Sequence, residues 1–189
     1  MVASSKLLKA IFSDSNAIAL PNLWRISQYI DLKGEGGRLR SNRWNIAGRP
    51  VVYLGESVAG VVLEYIVHFM ELDSSRLPER LSLIQVEYPD AVQSDETSET
   101  RLPGDWRTNV KVTRSVGDNW LQQCKTVLLK VPSAVVPYTA NFLLNPEHPD
   151  AHLVKIGEHF EFRLDLRLRV LADFALSYRS EIRFVAPDE

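Results

Sequence analysis

The chain has 189 residues, of which 45% are hydrophobic and 24% charged, and it carries a formal net charge of −2. That length suits one domain, the composition excludes a disordered chain, and the charge balance excludes a dominant electrostatic grip on nucleic acid or an anionic membrane. A single cysteine, Cys124, excludes an internal disulfide, and no Cys/His cluster marks a zinc site, so a reducing, cytoplasmic setting is expected.

In chain order, residues 1–20 carry Lys6 and Lys9, but their apolar part is interrupted by Ser13, Asp14, Ser15 and Asn16. No signal-peptide core is expected there. Residues 31–48 mix Gly34, Gly36, Gly37 and Gly48 with Arg38, Arg40 and Arg43, which reads as loop. Pro50 then introduces a β-like run over 51–54, ended by Gly55. Val58, Val61, Val62, Tyr65, Ile66 and Phe69 recur at three- and four-residue steps, which predicts a helix over 57–72 with Ser57 as its N-cap. The apolar run 51–70 contains Glu56, Glu64 and His68, costly in hydrocarbon, so no membrane span is expected. Residues 81–88 and 126–131 read as strands, 119–124 as a short helix, and 158–168 as a last strand. Residues 90–100 read as an exposed acidic loop, and 131–148 as an extended, turning segment. The order lacks regular βαβ units, so an α+β fold is favoured over a doubly wound sheet.

No P-loop, GxGxxG, HExxH, GxSxG or CxxC pattern is present. What stands out is arginine near glycine: Arg25, Arg38, Arg40, Arg43 and Arg49. Guanidinium forks match phosphate oxygens and glycines admit a ligand close to the backbone, although a solvated loop has the same composition. Glu64 stands in a strongly apolar helix, where a carboxylate needs either a structural partner or a chemical task. His68, one turn on, shares its side of that helix. Tyr53 ends a strand, and Ser133 lies in the turning segment without an elbow motif. Trp24, Trp44, Trp106 and Trp120 read as packing residues more than stacking platforms.

Taken together, Gly34-Glu35-Gly36-Gly37-Arg38, Arg43-Trp44-Asn45, Gly48, Pro50 to Leu54, Glu64 with His68, Leu102-Pro103, Asp105-Trp106-Arg107, Gly117-Asp118, Trp120-Leu121, Val131 to Pro137, Asn141, Leu144-Asn145-Pro146 and His148-Pro149 resemble the RES domain family, the toxins of Xre–RES toxin–antitoxin systems. The resemblance implies a RES domain over 24–169, an N-terminal extension over 1–23 and a C-terminal one over 170–189. It implies a fold similar to that of ADP-ribosyltransferases, with a twisted β core of packed sheets flanked by helices. It maps the arginine, glutamate and serine of the family name onto Arg43, Glu64 and Ser133. Tyr53 matches an active-site tyrosine, and Arg25 a further arginine. Glu64, Arg43 and Tyr53 are thereby expected to be catalytic, and Arg25, Arg43, Tyr53, Asn45 and Ser133 to bind the dinucleotide. Ser41 and Asn42 depart from two glycines common in the family, and Ala140 from an aromatic.

The implied activity is consumption of NAD⁺ by hydrolysis or phosphorolysis, or transfer of ADP-ribose to a protein. NAD⁺ is then a substrate, with no cofactor and no metal. Cleaving the nicotinamide–ribose bond builds an oxocarbenium-like transition state, which a carboxylate stabilises. Glu64 is the candidate, with Tyr53 against nicotinamide or ribose and Ser133 holding either the glutamate or the ribose. A rival reading is a non-catalytic domain that only binds an antitoxin or a nucleotide, and a hydrolase built on Ser133 ranks last. An Xre-type antitoxin is the expected partner, with DNA contacted only through it. A homodimer is compatible with the sequence, but no feature specifies one.

Overall fold

The computed structural model describes residues 22–71, 78 and 80–170. Its strands are β1 (Asn22–Ser27), β2 (Val52–Gly55), β3 (Leu81–Glu87), β4 (Ser94–Glu96), β5 (Leu128–Pro132), β6 (Ala140–Leu144) and β7 (Lys155–Phe162). The helices are α1 (Glu35–Leu39), α2 (Val58–Glu71) and α3 (Val110–Gln123), with 3-10 turns at Glu99–Arg101 and Pro149–Leu153. The expected α+β class is what the structure has. The packed sheets are corrected: the seven strands form one hydrogen-bonded sheet, in the order β4-β5-β6-β2-β1-β3-β7, antiparallel except for β4 with β5.

Because side chains alternate along a strand, the sheet has two distinct faces. One buries Leu23, Val52, Leu54, Ile84, Val86, Leu128 and Leu144. The other splits into two clusters. Leu129, Val131 and Leu143 pack with Trp44, Trp106, Trp120 and Leu121. Val62, Ile66 and Phe69 of α2 pack with Ile26 and Phe162. These three positions of α2 recur at steps of four and three, the stripe that lays the helix on the sheet. Ser57 caps α2 as expected: its Oγ accepts from Gly60 N at 3.1 Å. Three of the four tryptophans, Trp44, Trp106 and Trp120, are buried core.

Several elements depart from expectation. The arginine–glycine loop contains the one-turn α1, too short for a periodic pattern to show. Helix α3 starts nine residues before the expected 119. Its buried positions are Thr113, Gly117, Trp120 and Leu121, so its first two turns bury a hydroxyl and a glycine rather than apolar side chains. The acidic loop contains β4, exposed at all three residues and held on β5 by parallel backbone pairing and the Glu96–Lys130 ion pair rather than by apolar burial. The turning segment contains β6, and the last strand runs over 155–162 rather than 158–168. Among the described residues no helix is long and apolar enough to cross a membrane.

Candidate active site

The site is built where β2, β5 and β6 run side by side under α2. Gly55 pairs with Asn141, and Asn141 with Val131. A Cβ on Gly55 would lie 2.6 Å from Val61 Cγ1. The bare glycine therefore lets the first turns of α2 come down close to β6. This brings Glu64, one turn further along α2, onto the Asn141 side chain.

Glu64 Oε1 accepts two short hydrogen bonds, from Ser133 Oγ at 2.6 Å and Asn141 Nδ2 at 2.6 Å. The direction of the first is settled by the serine's other partners. Ser133 Oγ accepts from Val135 N at 3.1 Å and Val136 N at 2.9 Å, so its proton is left for the carboxylate. Ser133 is 2% exposed, and its own N–H donates to Thr139 O at 3.0 Å. Among the described residues no hydrogen bond reaches Glu64 Oε2. One oxygen is thus fixed and the other stays available, an arrangement suited to receiving hydroxyls or facing a developing positive charge.

A second knot lies two residues back along β2. Tyr53 OH donates to Asn45 Oδ1 at 2.9 Å and accepts from Trp44 N at 3.1 Å. Burial, more than any neighbouring charge, pushes the Tyr53 phenol well above its ordinary range, so it stays neutral. Asn45 is wholly buried. Its Nδ2 donates to the carbonyls of Gly37, Arg40 and Ile46, and its Oδ1 also accepts from Asn42 Nδ2 at 3.1 Å. This amide has no capacity left over for a ligand. Asn42 and Ser41 close the same loop: Asn42 Nδ2 donates to Arg40 O, and Ser41 Oγ accepts from Ala47 N.

Helix α3 holds this loop from outside. Thr113 Oγ1 donates to Arg43 O at 2.6 Å, Arg114 Nε donates to Asn42 O at 2.8 Å, and Asp118 Oδ1 accepts from Ile46 N at 2.9 Å. Residues 113, 114, 117 and 118 share one helix face, being three to four apart. Between them, Gly117 lies so close to the loop that a Cβ would sit 1.8 Å from Trp44 O. The half-buried Arg43 donates from Nη1 to Arg107 O at 2.9 Å, and no other side-chain partner holds its fork among the described residues. The Asp118 carboxylate raises the Tyr53 pKa further, and the Arg114 and Arg43 guanidinium groups oppose it.

Of the residues singled out in the sequence, the structure joins Glu64 to Ser133 directly, and Arg43, Asn45 and Tyr53 to one another through the loop. It does not bring Arg25 to either knot. Arg25 shares the face of Leu23 on β1, whereas Gly55, Tyr53 and Asn141 share the face of Trp24. Its guanidinium donates to the Asp31 and Tyr29 carbonyls, and burial lowers its pKa despite the nearby Asp31 carboxylate. It braces the turn leading into α1. Three contributors went unassigned in the sequence. Asn141 as a partner of Glu64 is signalled only by its place within the matching strings, and Thr113 and Arg114 only by their spacing from Gly117 and Asp118.

A family model described as "RES domain" matches residues 22–165. The chain belongs to the RES domain family, as its strings suggested. Two curated relatives match it over nearly their whole length. "Toxin Res" of Pseudomonas putida is 44% identical over 149 residues, covering 77% of this chain and 98% of the relative. "Prs ADP-ribosylating toxin" of Sphingobium sp. is 36% identical over 157 residues, covering 78% and 96%. Among solved structures, the M. tuberculosis MbcT–MbcA toxin–antitoxin complex contains a chain that superposes with a TM-score of 0.59 at 16% identity, over 84% of this RES chain and 90% of that one. That likeness is one of fold.

Proposed function

We propose that this RES-domain chain is a toxin that consumes NAD⁺ in the cytoplasm by cleaving the nicotinamide–ribose bond, with water or phosphate as acceptor, and that an Xre-type antitoxin neutralises it. The observation that carries the reading is the Glu64 carboxylate, with one oxygen held by two 2.6 Å donors and the other open. In the oxocarbenium-like transition state, positive charge moves from nicotinamide onto the ribose, and a fixed carboxylate beside it stabilises that charge without reorganising. The nicotinamide departs neutral and needs no proton.

Glu64 is the catalytic carboxylate in this scheme, and Ser133 and Asn141 position it. Arg43 offers its free guanidinium edge to the pyrophosphate. Tyr53, its hydroxyl committed to the loop, presents its ring as a wall for nicotinamide or ribose. Asn45 and Arg25 hold the loop rather than the ligand. The names of the relatives support toxicity, and the complex that shares the fold supports an antitoxin as partner. DNA is contacted only through that antitoxin.

The test is nicotinamide release from NAD⁺ by the purified chain, with and without phosphate, beside Glu64→Gln. Release that is lost in the variant supports the reading, and its phosphate dependence names the acceptor. No release from folded, antitoxin-free protein overturns it. A second reading, transfer of ADP-ribose to a protein, is favoured by the name of the Sphingobium relative. Labelled protein in place of free ADP-ribose would select it.

A further inference from the structure

The segment between β5 and β6 is tightly tied, yet its tip is spent on exposure. Ser133 N donates to Thr139 O at 3.0 Å, Thr139 Oγ1 donates to Val136 O at 2.9 Å, and Ser133 Oγ takes the N–H groups of residues 135 and 136. Ser133 at the segment's start and Asn141, the second residue of β6 just past its end, both hold Glu64. At its tip stands Tyr138, with a wholly exposed ring and a φ of 63°. A bulky residue rarely adopts that left-handed conformation, and it costs free energy that a glycine would save. Exposing the ring gains nothing within the chain. A rigid loop anchored at the candidate catalytic carboxylate thus displays an aromatic surface.

Its neighbourhood points to what the ring meets. Arg107 lies near enough to interact electrostatically with Tyr138, although Glu99 is the stronger influence on it. The Arg107 guanidinium is clamped by Glu99 and lies 4.6 Å from the Trp106 ring centroid, and its carbonyl accepts from Arg43. Ser133 and Asn141, at the base of the loop, lie beside Glu64, while Tyr138 at its tip interacts with Arg107, the residue whose carbonyl holds Arg43. A dinucleotide with its reactive ribose at Glu64 and its pyrophosphate at Arg43 has its second base left to place beyond Arg43.

We infer that Tyr138 is the stacking platform for the adenine base of the dinucleotide. The inference rests on the proposed NAD⁺ site and names the adenosine subsite within it. Stacking on an aromatic needs no hydrogen-bond code, only an exposed face held still. The rigid loop supplies that at little further entropic cost on binding.

The experiment measures calorimetric binding of adenosine monophosphate and of nicotinamide mononucleotide to the wild-type chain and to Tyr138→Phe, Tyr138→Ala and Tyr138→Gly. Wild type and Tyr138→Phe are expected to bind adenosine monophosphate alike, with Tyr138→Ala and Tyr138→Gly weaker by about 5- to 150-fold. Nicotinamide mononucleotide affinity should not change. Tyr138→Gly should melt no lower than wild type, because it relieves the left-handed strain, so its weaker binding is not misfolding. Adenosine monophosphate that fails to bind wild type, or binds both truncated variants equally well, overturns the inference. So does a loss confined to nicotinamide mononucleotide. Adenosine monophosphate lacks the nicotinamide–ribose bond, so its binding is read without cleavage, and failure here stays distinct from failure of wild type to release nicotinamide from NAD⁺.

Discussion

Replacing Glu64 by glutamine separates the charge from the shape. The glutamine oxygen can keep both donors that Oε1 now accepts, Ser133 Oγ and Asn141 Nδ2. What changes at the open position is an anionic acceptor becoming an N–H donor. The ground state of NAD⁺ already carries the nicotinamide charge, so only the gain between ground and transition state counts. With an effective dielectric of about 20, moving a unit charge from about 6 Å to about 4 Å from the carboxylate gains about 1.4 kcal/mol, or about tenfold. Strengthened hydrogen bonding of ribose hydroxyls to the charged oxygen adds about 1–2 kcal/mol. The sum is a loss of about 10² in kcat, at the lower end of what removing one preorganised electrostatic group costs. On the stability side, two charge-assisted hydrogen bonds become neutral ones, a loss of about 1–3 kcal/mol offset in part by removing a half-buried charge. The melting temperature should therefore move by only a few degrees. The assay is nicotinamide release at saturating NAD⁺ beside thermal unfolding of both proteins. A folded Glu64→Gln that turns over within about threefold of wild type would refute the electrostatic reasoning.

Other perturbations follow from the same contacts. Ser133→Ala removes one donor from Glu64 and strands the N–H groups of Val135 and Val136. It should cost about 2 kcal/mol in stability and lower kcat more than it raises KM, read from denaturant unfolding and steady-state release. Gly117→Ala drives a Cβ into the Trp44 carbonyl, so residues 42–46 must move off α3. The expected loss is about 1–3 kcal/mol, with a fall in activity out of proportion to it, and an unchanged melting temperature would count against the docking. Tyr53 has a raised pKa, so its contribution to stability is fully present below the ordinary tyrosine value near 10 and is lost as pH rises beyond it toward the folded value. Melting curves between about pH 9 and 11 should fall more steeply for wild type than for Tyr53→Phe, although the variant starts lower because it leaves Trp44 N without its acceptor and removes one of the two donors to Asn45 Oδ1.

The sequence was most legible where burial writes a period. Helix α2, strand β2 and strand β3 lie close to their expected spans because their apolar residues repeat at helical or strand spacing. Helix α3 was half hidden, since its first two turns bury Thr113 and Gly117 to receive a loop rather than an apolar face to reach a core. Strand β6 was obscured by its start, the small Ala140 and the polar Asn141, and by prolines before it. It is held as a strand by β5 and β2 on either side, a long-range cause that no local window contains. At the site, the pairing of Glu64 with Ser133 spans 69 residues. Composition could mark Glu64 as out of place but could not name its partner; the family strings were needed to put Ser133 forward. Arg25 shows the converse: its match to a family arginine suggested the ligand, while the alternation of β1 turns it to the other face.

The polar residues of this site divide between those that are satisfied and those that are not, and the division is what argues for chemistry. Asn45, Tyr53 OH and Ser133 have every strong partner they can take within the chain. A fold needing only rigidity would end there, because buried networks stabilise when complete. Glu64 Oε2 and the outer edge of Arg43, on half-buried side chains, have no hydrogen-bond partner among the described residues, one an anionic acceptor and the other a cationic fork, each anchored through its other atoms. Anchoring removes the rotamer entropy that a loose surface charge would lose on meeting a ligand. A pair of opposite, pre-oriented charges left without each other suits a ligand with a phosphate at one point and a developing positive charge at another. A structural ion pair would instead have closed the gap between them.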